Sequence, residues 1–301
     1  MSSQQPHVLR ELRRQPECWT RALALVPDFA DALPRTGERI AVLGSGTSWF
    51  MAIAYAGLRE AAGLGETDAF ATSEFRAARR YDRIVVISRS GTTTEAIRAM
   101  AATSAPVTAL TAVADSPVAQ AADHAVVLDF ADEQSVVQTV FATTALMLLR
   151  ASLGKPLDRV IAQATDILTA EAGVPVDVER ARQFTFLGSG WVYGVALEAG
   201  LKMREAAQLW TESYPQLEYR HGPISIAQPG RAVWLFGTPE EDILRDVRAT
   251  GATVVAEDLD PVADLVRVQA LAVRRAQAGG LDPDRPRALT RSVVLDPDGT
   301  P

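Results

Sequence analysis

With a single cysteine, Cys18, in 301 residues, the chain has no partner for an intrachain disulfide and no basis for a multi-thiolate zinc site. The three histidines, His7, His124 and His221, are far apart, so no His-x-x-x-His pair can present two ring nitrogens on one helix face. Neither a metal nor another cofactor is expected. No run of 18 uninterrupted apolar residues occurs, so no helical membrane span is expected. Basic side chains number 30 against 37 acidic ones, for a net charge of −7, and they form no extended cluster. Neutralising a nucleic-acid backbone needs a basic face, so a nucleic-acid partner is not expected. The opening residues, Met1-Ser-Ser-Gln-Gln-Pro6, lack the basic-then-apolar order of a secretory leader, and a cytoplasmic location is the expectation. Lysine is almost missing: only Lys155 and Lys202 occur among many arginines.

The chain is 48% hydrophobic, enough for a substantial core in one large domain or two small ones. Leu43-Gly-Ser-Gly46 recurs as Leu187-Gly-Ser-Gly190, and at the same offset Glu74-Phe-Arg76 maps onto Glu218-Tyr-Arg220. Each Gly-Ser-Gly follows a β-favouring run, Ile40–Leu43 or Phe184–Leu187, and precedes an Ala-rich helical segment. Further β runs lie at Ile84–Ile87, Val107–Leu110, Val233–Phe236 and Val254–Val255. Strands separated by helical segments imply parallel sheets with crossover helices. The expected fold class is therefore α/β, built as two pseudosymmetric, doubly wound halves, each a parallel sheet flanked by helices, related by duplication. The expected organisation is a helical lead over 1–25, a first half over 26–153, a linker with a helix over 154–178, a second half over 179–278, and a Pro/Gly-rich tail over 279–301.

Two strand-to-helix turns suit an anion. Ser88-Arg-Ser-Gly-Thr-Thr-Thr94 places five hydroxyls and Arg89 at the carboxyl edge of a parallel strand, where free backbone N–H groups of the next helix also point. Ordinary capping requires one hydroxyl rather than five. The corresponding turn of the second half, Gly237-Thr-Pro-Glu-Glu-Asp242, carries three carboxylates, so one phosphate site is expected rather than two. The turn Gly44-Ser-Gly-Thr-Ser48 should neighbour the Ser88 turn, and the two together could hold one phosphorylated polyol. It lacks the third glycine of a dinucleotide site.

Groups able to move protons fall in the second half. Glu198, Lys202 and Glu205 share one face of a helix, either as a carboxylate base beside a cation or as a solvated stripe with a modest Glu–Lys pair. His221 sits in the turn Arg220-His-Gly-Pro223, where Gly-Pro restricts the backbone behind an imidazole, a side chain suited to proton transfer near neutral pH.

Taken in order, these motifs resemble the double sugar-isomerase (SIS) domain family, over about residues 5 to 295. The matching pieces are Gln5-Pro-His-Val-Leu9, Gly46-Thr47-Ser48, Ser73–Arg76, the Ser-x-Ser-Gly-x-Thr loop at Ser88, Ser90, Gly91 and Thr93, then Glu133, Val136 and Thr139, Leu201-Lys202 with Glu205, and His221-Gly-Pro223. The resemblance implies a catalytic set of Glu205, His221 and Lys202. Glu205 would shuttle a proton between C1 and C2 of an open-chain sugar through an enediol. His221 would open the ring and would be donated across the interface of a homodimer. The resemblance also implies a substrate and phosphate set of Ser45, Gly46, Thr47, Ser48, Ser88, Arg89, Ser90, Thr93, Val136, Gln138 and Arg291, with the tail lying over the active site. Four positions depart from the family pattern. Arg89 and Thr92 replace a neutral amide and an acid, Gln138 replaces a small hydroxyl residue, and Arg291 stands where the family's tail carries an imine-forming lysine.

The expected activity is aldose–ketose isomerisation of a 6-phosphorylated sugar or amino sugar, possible deamination included. The alternatives are a non-catalytic phosphosugar-binding regulatory module and an unrelated sugar-phosphate lyase. The absence of a recognisable helix-turn-helix or basic arm favours the enzyme over the module.

Overall fold

The computed structural model describes residues 5–170 and 173–295 of the chain. It divides into two compact units, one of residues 17–157 and 288–295, the other of residues 5–16 and 158–287. No helix among the described residues is long and apolar enough to cross a membrane.

The first unit is built on five parallel strands: β1 (Ile40–Gly44), β2 (Thr67–Ala71), β3 (Arg83–Ile87), β4 (Val107–Thr111) and β5 (His124–Val127). Their spatial order is β2-β1-β3-β4-β5. Every residue of β1, β3 and β4 is buried, as expected for inner strands covered on both faces. Ala41, Leu43, Ile84 and Val86 pack with Ala96, Met100, Val107 and Val118 as one core cluster. The chain reverses direction in the sheet between β1 and β3, and the turns leaving these two strands therefore lie side by side at the carboxyl edge.

The second unit has four parallel strands: β6 (Gln183–Gly188), β7 (Trp210–Pro215), β8 (Ala232–Leu235) and β9 (Thr253–Ala256), in the order β7-β6-β8-β9. Its helix Val192–Ala207 packs on β6, β7 and helix Pro261–Ala278. Both sheets are thus parallel and helix-flanked, the α/β architecture read from the strand–helix alternation.

The two Gly-Ser-Gly turns share a steric requirement. A Cβ on Gly44 would come within 2.4 Å of the Ser48 backbone, and one on Gly188 within 2.5 Å of the Val192 carbonyl oxygen. Only glycine lets the following helix approach its strand this closely. Gly188→Ala is expected to lower stability by about 3 kcal/mol, because backbone rather than a flexible side chain must give way. Urea unfolding measures this, and a loss under about 1 kcal/mol would mean the turn relaxes freely.

Asp264 is the deepest carboxylate of the second unit's helix Pro261–Ala278, 1% exposed, and accepts hydrogen bonds from Trp234 Nε1 at 2.8 Å and Arg267 Nη1 at 3.0 Å. Burial pushes its carboxyl up to about 6, against the pull of those two donors. The folded chain therefore holds this proton more tightly than the unfolded chain does. The resulting stability is fully present below about pH 4 and is lost as pH rises through 6, on the order of 3 kcal/mol in all. Denaturation midpoints of wild type and Asp264→Asn between pH 4 and 7 should diverge in that direction; parallel curves would refute the assignment.

Candidate active site

The first unit gathers its hydroxyls where the β1 and β3 turns meet. A cavity there is lined by Ser45 and Ser48 from the first turn, by Ser88, Arg89, Ser90 and Thr93 from the second, and by Gln138 and Arg291. Thr72, Ile87 and Ala96 complete the wall. Gly46, Thr47 and Val136 are outside that lining. Ser48, Ser88 and Arg89 are buried, and Ser45 and Gly46 are exposed. Gly91 takes φ +64°, and its missing side chain makes room for the Ser116 hydroxyl, which caps the helix beginning at Pro117. Ser90 Oγ accepts a hydrogen bond from Thr92 N at 3.3 Å. The helix following this turn, Thr94–Ala101, opens toward it.

Sequence reasoning did not assign Thr72 to this site. It follows edge strand β2, whose carboxyl end lies beside that of β1, and its hydroxyl sits 2.5 Å from Ser45 Oγ. Its signal was its place directly before Ser73–Arg76.

The loop bearing Val136 and Gln138 is held by Glu133, 1% exposed, which accepts from the N–H groups of Thr139 (2.6 Å), Val140 (2.8 Å) and Phe141 (3.0 Å). A carboxylate on the free N–H groups of helix Val140–Ala151 satisfies both charge and hydrogen bonding. The Gln138 side-chain oxygen is buried at the cavity and has no hydrogen-bond partner among the described residues. A buried acceptor in that state suits a donor from a ligand.

In the second unit, Glu198, Lys202 and Glu205 lie on helix Val192–Ala207 as the spacing requires, but not as a solvated stripe. Glu198 is wholly buried and Lys202 is 1% exposed, while Glu205 is partly exposed. Lys202 Nζ lies 3.4 Å from Glu198 Oε1 and makes a short hydrogen bond to Glu205 Oε2. A cation taken out of water in this way is tolerable because carboxylates flank it on both sides. The helix ends at Gln208, in the left-handed conformation. His221 closes the single-turn helix Leu217–Arg220 and its side chain is exposed, ahead of Gly222 at φ +125°. The turn after β8 leads into helix Glu241–Ala249 with Glu240, Glu241 and Asp242 at its start, an arrangement that repels a phosphate.

Among the described residues no cluster of three or more His, Cys, Asp or Glu side chains is arranged to hold a metal ion. No protein-family model matches the chain. In architecture it has the sugar-isomerase (SIS) fold: a glucosamine-6-phosphate deaminase from Thermotoga maritima superposes with TM-score 0.83 at 23% identity, over 96% of this chain and all of that one. A tagatose-6-phosphate ketose/aldose isomerase from Escherichia coli superposes with TM-score 0.76 at 19% identity, over 93% and 96%. Its homologues are glutamine–fructose-6-phosphate aminotransferases. Those of Sulfurisphaera tokodaii and Methanothermobacter thermautotrophicus are each 27% identical to it, over 87% and 96% of this chain and 51% and 57% of their own length. The chain thus spans about half the length of these curated relatives. The matched structures include the C-terminal domain of a glucosamine-fructose-6-phosphate aminotransferase from Francisella tularensis, at TM-score 0.76 and 21% identity over 94% of this chain and 99% of that one.

Proposed function

We propose that the chain is a phosphosugar isomerase acting on a 6-phosphorylated sugar or amino sugar. The observation that carries this reading is the convergence of Ser45, Ser48, Ser88, Ser90 and Thr93 on one cavity at the reversal point of a parallel sheet, with no carboxylate among the described residues that line it. Hydroxyls and helix N–H groups of this kind bind a phosphate.

Glu205 is the base. Its carboxylate takes the C2 proton of an open-chain aldose and electrons move to the carbonyl oxygen O1, giving an enediolate. The hydroxyl proton on O2 passes to O1, and as the C=O bond forms at C2 the proton held by Glu205 returns to C1 to give the ketose. The Lys202 ammonium holds Glu205 through one oxygen, Oε2, and orients the other for the substrate. His221 transfers the proton that opens the ring. Its exposure suits a residue completed by a second copy of the chain, so a homodimer belongs to this reading. Arg291 lines the cavity and, as a guanidinium, forms no imine with a ketose. Proton transfer through the enediol therefore does not depend on a lysine at that position.

The test is incubation with 6-phosphohexoses and 6-phosphoamino sugars in D2O, read by NMR for label at C2, with released ammonia assayed in parallel. Label at C2 supports the isomerase. Saturable binding with no label and no ammonia would identify a binding module instead.

A further inference from the structure

Arg89 and Thr92, two of the residues that depart from the family's loop pattern, do not simply add charge and hydroxyl to the anion cradle. Arg89 is 2% exposed, and its terminal nitrogens donate in two directions: Nη1 to the Ser135 carbonyl oxygen at 2.8 Å and Nη2 to the Arg291 carbonyl oxygen at 3.0 Å. One guanidinium thereby ties the Ser88–Thr93 turn to the Glu133–Thr139 loop and to the tail. Thr92 Oγ1 lies 2.8 Å from Ser292 Oγ, Thr94 N donates to the Val293 carbonyl at 3.3 Å, and Leu295 N donates to Thr94 Oγ1 at 2.9 Å. Residues 291–295 therefore run along the cradle, bonded to it at successive positions.

The consequence falls on Arg291. Its side chain reaches the cavity wall, where Nη2 donates to Asp132 Oδ1 at 2.5 Å and Nη1 makes a short hydrogen bond to the Glu133 carbonyl oxygen. Glu133 is itself fixed by three backbone N–H groups, so the far end of Arg291 is held by a rigid loop and its backbone by Arg89.

We infer that Arg89 is a positioning residue: it fixes the tail so that Arg291, and not Arg89 itself, presents a cation to the bound phosphosugar. A planar fork suits this, because its two terminal nitrogens donate to carbonyls of two separate segments from one pre-organised group, whereas a lysine would have to place a single nitrogen within reach of both. The ligand-binding half of the inference rests on the function proposed above; the tail-anchoring half does not.

Two measurements on the full chain test it: hydrogen exchange of the backbone amides of residues 288–295, and calorimetric binding of glucose 6-phosphate. Arg89→Gln should speed tail exchange at least 10-fold and weaken binding about 10-fold, with Arg89→Lys falling between it and wild type. Arg291→Ala should weaken binding by a similar factor. Adding Arg89→Gln to Arg291→Ala should then cost less than a further 2-fold, because the residue being positioned is already gone. Losses that multiply in the double variant would make Arg89 a direct ligand and overturn the inference. Unchanged tail exchange in a folded Arg89→Gln protein would overturn it as well. If wild type binds neither glucose 6-phosphate nor any other 6-phosphohexose or 6-phosphoamino sugar, the phosphosugar reading fails, and with it the role given to Arg291, whereas faster tail exchange would still establish the anchor.

Discussion

Glu205→Gln is expected to reduce turnover of a 6-phosphohexose by about 10²- to 10⁴-fold while leaving its binding within a few-fold of wild type. Glutamine keeps the size and the hydrogen-bonding reach of the side chain, and Lys202 can still donate to its oxygen. What disappears is the only function an amide cannot supply, acceptance of a carbon-bound proton. The separation of turnover from binding is therefore the informative result. Isomerisation rates by coupled assay and affinities by calorimetry measure the two quantities independently. A variant that retained near-wild-type turnover would remove Glu205 from the base role. One that lost binding in proportion to turnover would assign it to substrate binding. Glu198→Gln is a useful comparison, since Glu198 is wholly buried and touches Lys202 from the opposite side.

The second large effect is expected at the cradle. Ser90→Asp places a carboxylate among hydroxyls of a cavity whose described lining residues include no acidic side chain. At about 4 Å in a partly buried setting, two like charges repel by roughly 4 kcal/mol, which predicts at least a 100-fold loss of glucose 6-phosphate affinity. Ser90→Ala is the control: it removes one hydroxyl without adding charge and should cost about 5- to 10-fold. Both variants should unfold within a few degrees of wild type, because Ser90 is only part-buried and its side chain interacts within its own turn. If Ser90→Asp bound the ligand as well as Ser90→Ala, the phosphate would lie elsewhere.

How much of this was legible beforehand depends on where a strand lies in its sheet. The inner strands β1, β3, β4, β6 and β8 are apolar runs, and all of them were visible in the sequence. The edge strands β2 and β7, with sequences Thr-Asp-Ala-Phe-Ala and Trp-Thr-Glu-Ser-Tyr-Pro, carry no such run, because one side of an edge strand faces no neighbour, and the edge strand β9 shows only the two-residue run Val254-Val255. Strand β5 begins with two exposed residues for the same reason. Missing β2 also meant missing Thr72, whose contact with Ser45 exists only because β2 pairs with β1.

The sequence by itself determined the parallel α/β class, the hydroxyl-rich turn after β3, and the spacing that sets Glu198, Lys202 and Glu205 on one helix face. These are local properties, set by apolar periodicity, turn composition and the 3.6-residue helical repeat. Tertiary structure decided the rest. It buried Lys202 between two carboxylates instead of leaving a solvated stripe, and it joined the Arg89 guanidinium to carbonyls 46 and 202 positions along the chain. Burial and long-range hydrogen bonding depend on which surfaces meet after folding, and no pattern within a single segment records that.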